Sequence, residues 1–340
     1  MTLSVPVRSA RLAQRSCAVF MAALILLACV PAIAQVESLP SWNEGGTKQA
    51  IVKFVADVTT PGTPDFIEPS ARIAVFDNDG TLWAEQPLYF QFLFMLDQLK
   101  AAAPQHPEWK KNAAFRALAT HDQKAIAALG EKPLLQLLLQ ANSGMTTAAY
   151  DESIRTWLAT ARHPKFNRPY TDLVYLPMQE LLRYLREHGF KTFIVSGGSI
   201  EFMRPWAEKA YGIAPEQVVG TVTGTRFELQ NGQPVLVRLP KLEFLDDGPG
   251  KPVGIYRAIG QQPIFAFGNS DGDWQMLQWV AAGSGPRFLG LVHHTDAERE
   301  FAYDRKSRVG KLDQALDDAN AKGWTVVDMK NDWNRVFSFQ

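Results

Sequence analysis

The sequence predicts an α/β protein in which a parallel, Rossmann-like sheet carries an all-helical insertion, and three observations point there. Two short apolar runs, Ile73-Ala74-Val75-Phe76 and Ile264-Phe265-Ala266-Phe267, do not alternate with polar residues, as expected of strands buried on both faces. Each run ends abruptly in acids, Asp77-Asn78-Asp79-Gly80-Thr81 and Gly268-Asn269-Ser270-Asp271-Gly272-Asp273. Open α/β sheets bind ligands at that end of a strand. Between the two, residues 86–170 read as helix after helix with little β-branched density, whereas a sheet crossover usually needs one helix.

From the start of the chain, Arg8, Arg11 and Arg15, the apolar run 17–30 and Ala32-Ile33-Ala34 form the three parts of a secretory leader cleaved before Gln35. The apolar run is short for a membrane span, so the mature chain is expected to have none and to be periplasmic or secreted. The alternative is a membrane-anchored lipoprotein, with Leu26-Leu27-Ala28-Cys29 as the processing site and a lipid on Cys29. Both cysteines, Cys17 and Cys29, lie in this segment, so a chain cut before Gln35 folds without a disulfide. The cut removes three Arg and no acid, taking 35 basic against 35 acidic residues to 32 against 35. That balance, with no basic run, argues against a nucleic-acid partner.

A short amphipathic helix is expected at 48–58, then a Pro-rich loop at 60–69 leading to the first strand. The insertion should hold helices at 88–103, 107–118, 122–129, 133–141 and 147–161, with Tyr89, Phe90, Phe92 and Phe94 as core. An amphipathic helix at 178–188 closes on Gly189; a strand at 191–195 runs into Ser196-Gly197-Gly198-Ser199, which opens a helix at 200–211. Residues 218–237 read as a hairpin turning at Asn231-Gly232. After Gly248-Pro249-Gly250-Lys251 opens a helix to about 259, a strand at 287–293, helices at 297–303 and 312–322 and an edge strand at 324–329 complete the chain. The organisation expected is a leader at 1–34, a core at 35–85 and 171–340, and a helical cap at 86–170.

Side chains two apart at the end of a strand share a face, so Asp77 and Asp79 can converge on one ligand. Two close carboxylates repel, which favours a shared proton or a bound divalent cation; a plain turn would use the same residues. Backbone N–H groups in the Ser196 loop are placed to take phosphate, and the Ser196 hydroxyl adds a donor. A Lys at a helix start opposes the macrodipole, and Lys251 there makes sense if it faces an anion; Lys241 suits solvent better. A second strand end supplies acids again, and a shared cation is the simplest physical cause. His293 and His294, at another strand end, read as structural.

In this order, Asp77-x-Asp79-Gly80-Thr81, Ser196 before two glycines, Lys251, and Gly268-Asn269 with Asp273 resemble the four signatures of the haloacid dehalogenase-like hydrolase superfamily. The similarity is to its phosphoserine phosphatase-like branch, whose helical cap is of the C1 type. The resemblance implies a Mg²⁺-dependent phosphomonoester hydrolase acting on a small phosphorylated metabolite through an aspartyl-phosphate, and the leader makes it an exported one. Asp77 would be the nucleophile and Asp79 the acid and base, an Asp that dehalogenases typically lack. Thr81, Ser196, Gly197 and Lys251 would bind the phosphoryl group, and Glu85, beside Trp83, a substrate amine. The metal would fall to Asp77, Asp79, Asn269, Asp271 and Asp273. Asn269 stands where the family commonly has Asp, with Asp271 as the acid that could make up the charge. Two alternatives follow: a non-catalytic or weakly active binding protein, and a phosphatase specific for phosphocholine or another amine-bearing phosphate.

Overall fold

Strand β1 (Ile73–Phe76) is buried along its whole length and takes β2 (Lys191–Ser199) and β5 (Phe265–Gly268) as parallel neighbours. This is a computed structural model, which describes residues 1–2 and 38–340 apart from 121 and 130. The apolar run 17–30, the expected cleavage site and Cys29 lie outside the described residues. On the far side of β2 lies β3 (Val218–Gln230), whose second half turns antiparallel to β4 (Gln233–Phe244). Beyond β5 comes β6 (Phe288–Thr295), which pairs with the short β7 (Ala302–Tyr303) and, in parallel, with β8 (Thr325–Asp328). The order β4-β3-β2-β1-β5-β6-β7 thus grows in both directions from β1. Ligands settle at such a reversal of strand order.

Successive residues of β1 feed opposite faces. Ala74 and Phe76 join a core with Phe265, Phe267 and Phe288, covered by α1 (Gly46–Thr59) and α7 (Leu176–Glu187). Ile73 and Val75 join a second core with Val195, Ala266 and Leu291. That face is covered by α9 (Gly250–Ile259), α10 (Trp274–Ala281) and α11 (Gln314–Lys322). Burial on both faces is why these strands are continuous apolar runs.

Between β1 and β2 the chain forms α2 (Phe90–Ala102), α3 (Ala113–Ala119), α4 (Gln123–Leu129), α5 (Glu131–Ala141) and α6 (Thr147–Thr160). The helix expected at 107–118 is broken into a 3-10 turn and α3, because the Asn112 side-chain oxygen Oδ1 caps the N–H groups of Ala114 and Phe115. The aromatic stripe divides: Phe90 and Phe94 are fully buried, while Tyr89 and Phe92 line a cavity. After β2 comes α8 (Ile200–Tyr211). The hairpin turns at Asn231 and Gly232, both left-handed, and runs longer than expected, to Phe244.

The helix expected at 297–303 is not formed. Asp296 caps one turn through Glu298 and Arg299, and Tyr303 is then drawn into pairing with His294. The Tyr303 ring stacks on His294 and its hydroxyl donates to Glu85, so tertiary contacts override the local helical pattern.

Candidate active site

The carboxyl ends of β1, β2 and β5 meet at the floor of a cavity of about 300 Å³. Lys251, in the first turn of α9 and 1% exposed, reaches that floor. Its Nζ donates to Asp77 Oδ1 at 2.6 Å, to Asp273 Oδ1 at 2.6 Å and to the Val195 carbonyl at 3.0 Å. Burial works against this ammonium, but Asp273 and Asp77 outweigh it and hold it protonated. The pKa of Asp77 is raised as well: burial and the neighbouring Asp273 disfavour its charged form, and Lys251 only partly opposes them. The expected meeting of acids from distant strand ends beside Lys251 is present.

Asp79 faces the cavity, and its Oδ1 accepts from Trp83 Nε1 at 2.8 Å. Trp83 is itself clamped against Trp206 and Phe90. Burial raises Asp79 from 3.8 to about 6. Ser196 is buried at the end of β2, and its Oγ accepts the Gly198 N–H at 3.0 Å. Gly197 lines the cavity beside it. Ser199, by contrast, caps α8 through the Phe202 N–H.

Other expected site residues are held by contacts of their own. Thr81 does not line the cavity; it is fully buried and donates to Asn269 Oδ1 at 3.0 Å. Glu85 lines the cavity, but its Oε1 is taken by Asn269 Nδ2 at 2.7 Å and the Tyr303 hydroxyl at 2.8 Å. Asp271 is turned away, its Oδ1 accepting the N–H groups of Asp313 and Ala315 at the start of α11. The reason is local: residues 271–273 form a 3-10 turn, so side chains two apart diverge, unlike in a strand. Asp273 spends its second oxygen on the N–H groups of Asn269 and Ser270. It therefore anchors Lys251 and the loop, and the acids at 271 and 273 do not both face a common cation.

Several lining residues gave no sequence signal. Gln91 of α2 accepts the Ser199 N–H at 2.8 Å and donates to Ser199 Oγ, tying the insertion to the Ser196 loop. Asp247 and Arg238 also line the cavity, brought there by contacts distant in sequence. His294 does not line the cavity but binds the Gly80 carbonyl at 2.8 Å, fixing the loop that carries Asp79.

The donors available to a cation are hard oxygens: Asp77, the Asp79 carbonyl and the Asn269 amide oxygen. Gly80 leaves them room, since a Cβ there would lie 2.1 Å from Asn269 Nδ2 and 2.4 Å from Glu85 Oε1. Oxygen-only donors among mutually repelling buried carboxylates fit a hard divalent cation. Among the described residues no group of three or more His, Cys, Asp or Glu side chains is arranged to hold a metal, so amide and backbone oxygens would complete the set.

A mostly parallel, Rossmann-like sheet whose strand-end acids meet a buried lysine defines the class of fold, an α/β protein with its candidate site at the carboxyl ends of the strands. Residues 74–278, more than half of the chain, match the haloacid dehalogenase-like hydrolase family, and the chain belongs to it. No curated protein matches the sequence. Among solved structures, a functionally unknown protein of Anaerococcus prevotii DSM 20548 is 15% identical with a TM-score of 0.51, covering 86% of this chain and 94% of its own, a likeness of fold alone. A protein of unknown function from Bordetella pertussis Tohama I is 16% identical with a TM-score of 0.48 over 76% and 98% of the two chains. A phosphoserine phosphohydrolase-like protein of Francisella tularensis subsp. tularensis SCHU S4 is 20% identical with a TM-score of 0.36 over 65% and 86%.

Proposed function

We propose that this chain is an exported, Mg²⁺-dependent phosphomonoesterase that works through an aspartyl-phosphate on Asp77. The observation that carries the reading is Lys251 Nζ held between Asp77 and Asp273 at the floor of the cavity that Asp79 and Ser196 also line. Such an arrangement has a clear use in phosphoryl transfer, which is mainly a matter of positioning and of holding charge on the equatorial oxygens.

The ester's phosphate would sit between Asp77, Ser196, the N–H groups of the following loop and Lys251. Asp77 attacks phosphorus while Asp79, protonated, gives its proton to the departing alcohol oxygen. The Asp79 carboxylate then takes a proton from a water that attacks the aspartyl-phosphate, releasing phosphate and restoring Asp77. Mg²⁺ would be held by Asp77, the Asp79 carbonyl and Asn269, and would supply positive charge beside the phosphate. Asn269 contributes no charge of its own, and Glu85, bonded to its amide, is pushed toward its neutral form by burial.

Glu85 Oε1 is engaged by Asn269 and Tyr303, so an amine-bearing substrate would have to be met by the other Glu85 oxygen. The test is hydrolysis of phenyl phosphate with and without Mg²⁺ by the wild type and Asp77→Asn. The wild type should turn over only with the cation, and the variant should fall below about a thousandth of that rate. A folded wild type silent with Mg²⁺ would instead favour a binding protein that has kept the fold.

A further inference from the structure

The cavity has a polar feature far from its phosphate end in sequence. Its wall toward the helical insertion is apolar, formed by Phe92, Met95, Leu135 and Leu139. Arg238, on β4, interrupts that wall: it lines the same cavity as Asp77 and Asp79 and is 3% exposed. Among the described residues, its Nε and Nη1 have no hydrogen-bond partner. Glu201 stands 3.9 Å from Nη1, too far for a hydrogen bond, and that Glu201 oxygen is itself unpartnered. The Tyr150 ring lies 3.6 Å from the guanidinium carbon. The Arg238 backbone is tied to the insertion on both sides, its N–H donating to the Met145 carbonyl and its carbonyl accepting from Gly144. A stiff mount therefore aims a buried cation with unused donors into the cavity.

Leaving buried guanidinium donors unfilled is costly, and the planar fork matches a carboxylate or phosphate in a two-pronged contact. We infer that Arg238 receives a second anionic group of the substrate, so that the ester carries a carboxylate or a further phosphate beyond an apolar body. This rests on the phosphatase reading and names its substrate class. The apolar body lies against Phe92, Met95 and Leu139, and Glu201 orients the guanidinium without consuming its donors.

The test uses the full chain and four esters: phenyl phosphate, 4-carboxyphenyl phosphate, 1,4-phenylene bisphosphate and 4-(trimethylammonio)phenyl phosphate. The wild type should favour one or both of the anionic esters over phenyl phosphate by about tenfold or more in kcat/KM, and which one distinguishes carboxylate from phosphate. In Arg238→Gln that ratio should fall to near one, while Arg238→Lys keeps part of it. Should Arg238→Gln not fold by circular dichroism, the wild-type ratio and Arg238→Lys decide. Equal use of phenyl and anionic esters, a preference that survives Arg238→Gln, or a preference for the cationic ester overturns the inference and leaves the phosphatase reading standing. No hydrolysis of any ester contradicts that reading, and the inference falls with it.

Discussion

Asp79 has the surroundings of a proton donor. One oxygen is fixed by Trp83, and burial lifts its pKa to about 6, so it carries a proton near neutral pH far more often than a solvated Asp does. Asp79→Asn should lower kcat/KM for an alkyl phosphate by about 10²–10⁴-fold. The loss should be much smaller for p-nitrophenyl phosphate, whose leaving group needs no proton. As pH rises above about 6 the donor loses its proton, so wild-type use of the alkyl ester should fall relative to the nitrophenyl ester. Steady-state kinetics check both, and equal losses on the two esters would remove Asp79 from the donor role. Asp246 makes a second residue-scale prediction. It is fully buried with neither carboxylate oxygen bonded, and burial raises it from 3.8 to about 7. The native state thus keeps a proton that the unfolded chain releases, so stability is lost as pH rises from about 4 through 7. In denaturant melts, Asp246→Asn should flatten that decline, an effect on the order of a few kcal/mol at pH 8. Identical pH slopes in the two proteins would contradict it. Asp77, Asp79, Ser196 and Lys251 were legible because each sits in a short pattern tied to a strand end or helix start. Arg238, Gln91 and Asp247 were not, because folding alone brings them in.

At the scale of elements, the loop after β1 shows how narrow the site's tolerance is. Gly80 has φ +77° and lies against Asn269 and Glu85, so it needs both a left-handed backbone and no side chain. Gly80→Ala should cost about 1–3 kcal/mol of stability and displace Asn269, measurable as a weaker dependence of the melting temperature on added Mg²⁺. Unchanged stability and an unchanged Mg²⁺ response would show that the loop accommodates a Cβ. Buried parallel strands announced themselves by unbroken apolar runs, and the hairpin by Asn231-Gly232. The segment 297–303 misled because its helical pattern is local, whereas Tyr303 is held by His294 and Glu85. Asp271 misled for a related reason: same-face spacing holds in a strand, and the chain turns there instead.

Across the whole molecule, the two ends of the described core are joined. Trp42 packs edge-on against Trp333, the Asn43 N–H donates to the Asp332 carbonyl, and Ser41 is bonded twice to Glu180 on α7. A cut before Gln35 would keep the residues that make this junction, Leu39, Ser41, Trp42 and Asn43, in the chain. Among the described residues no helix is long and apolar enough to cross a membrane. Mass spectrometry of the protein recovered from a secreting host should give Gln35 as the first residue; a lipidated Cys29 would establish the anchored alternative, and an intact Met1 would contradict export. The parallel order of the sheet and the helical insertion were readable from strand and helix periodicity, but the cavity between insertion, hairpin and strand ends was not, because its walls come from segments distant in sequence. Covalent transfer to Asp77 is the step on which the proposed reaction turns. Rapid acid quenching during turnover of phenyl phosphate with Mg²⁺, followed by mass spectrometry of the peptide carrying Asp77, should find a phosphoryl group on that carboxylate and none in Asp77→Asn. Turnover with no adduct on Asp77, and a variant that hydrolyses the ester as fast as the wild type, would contradict the account.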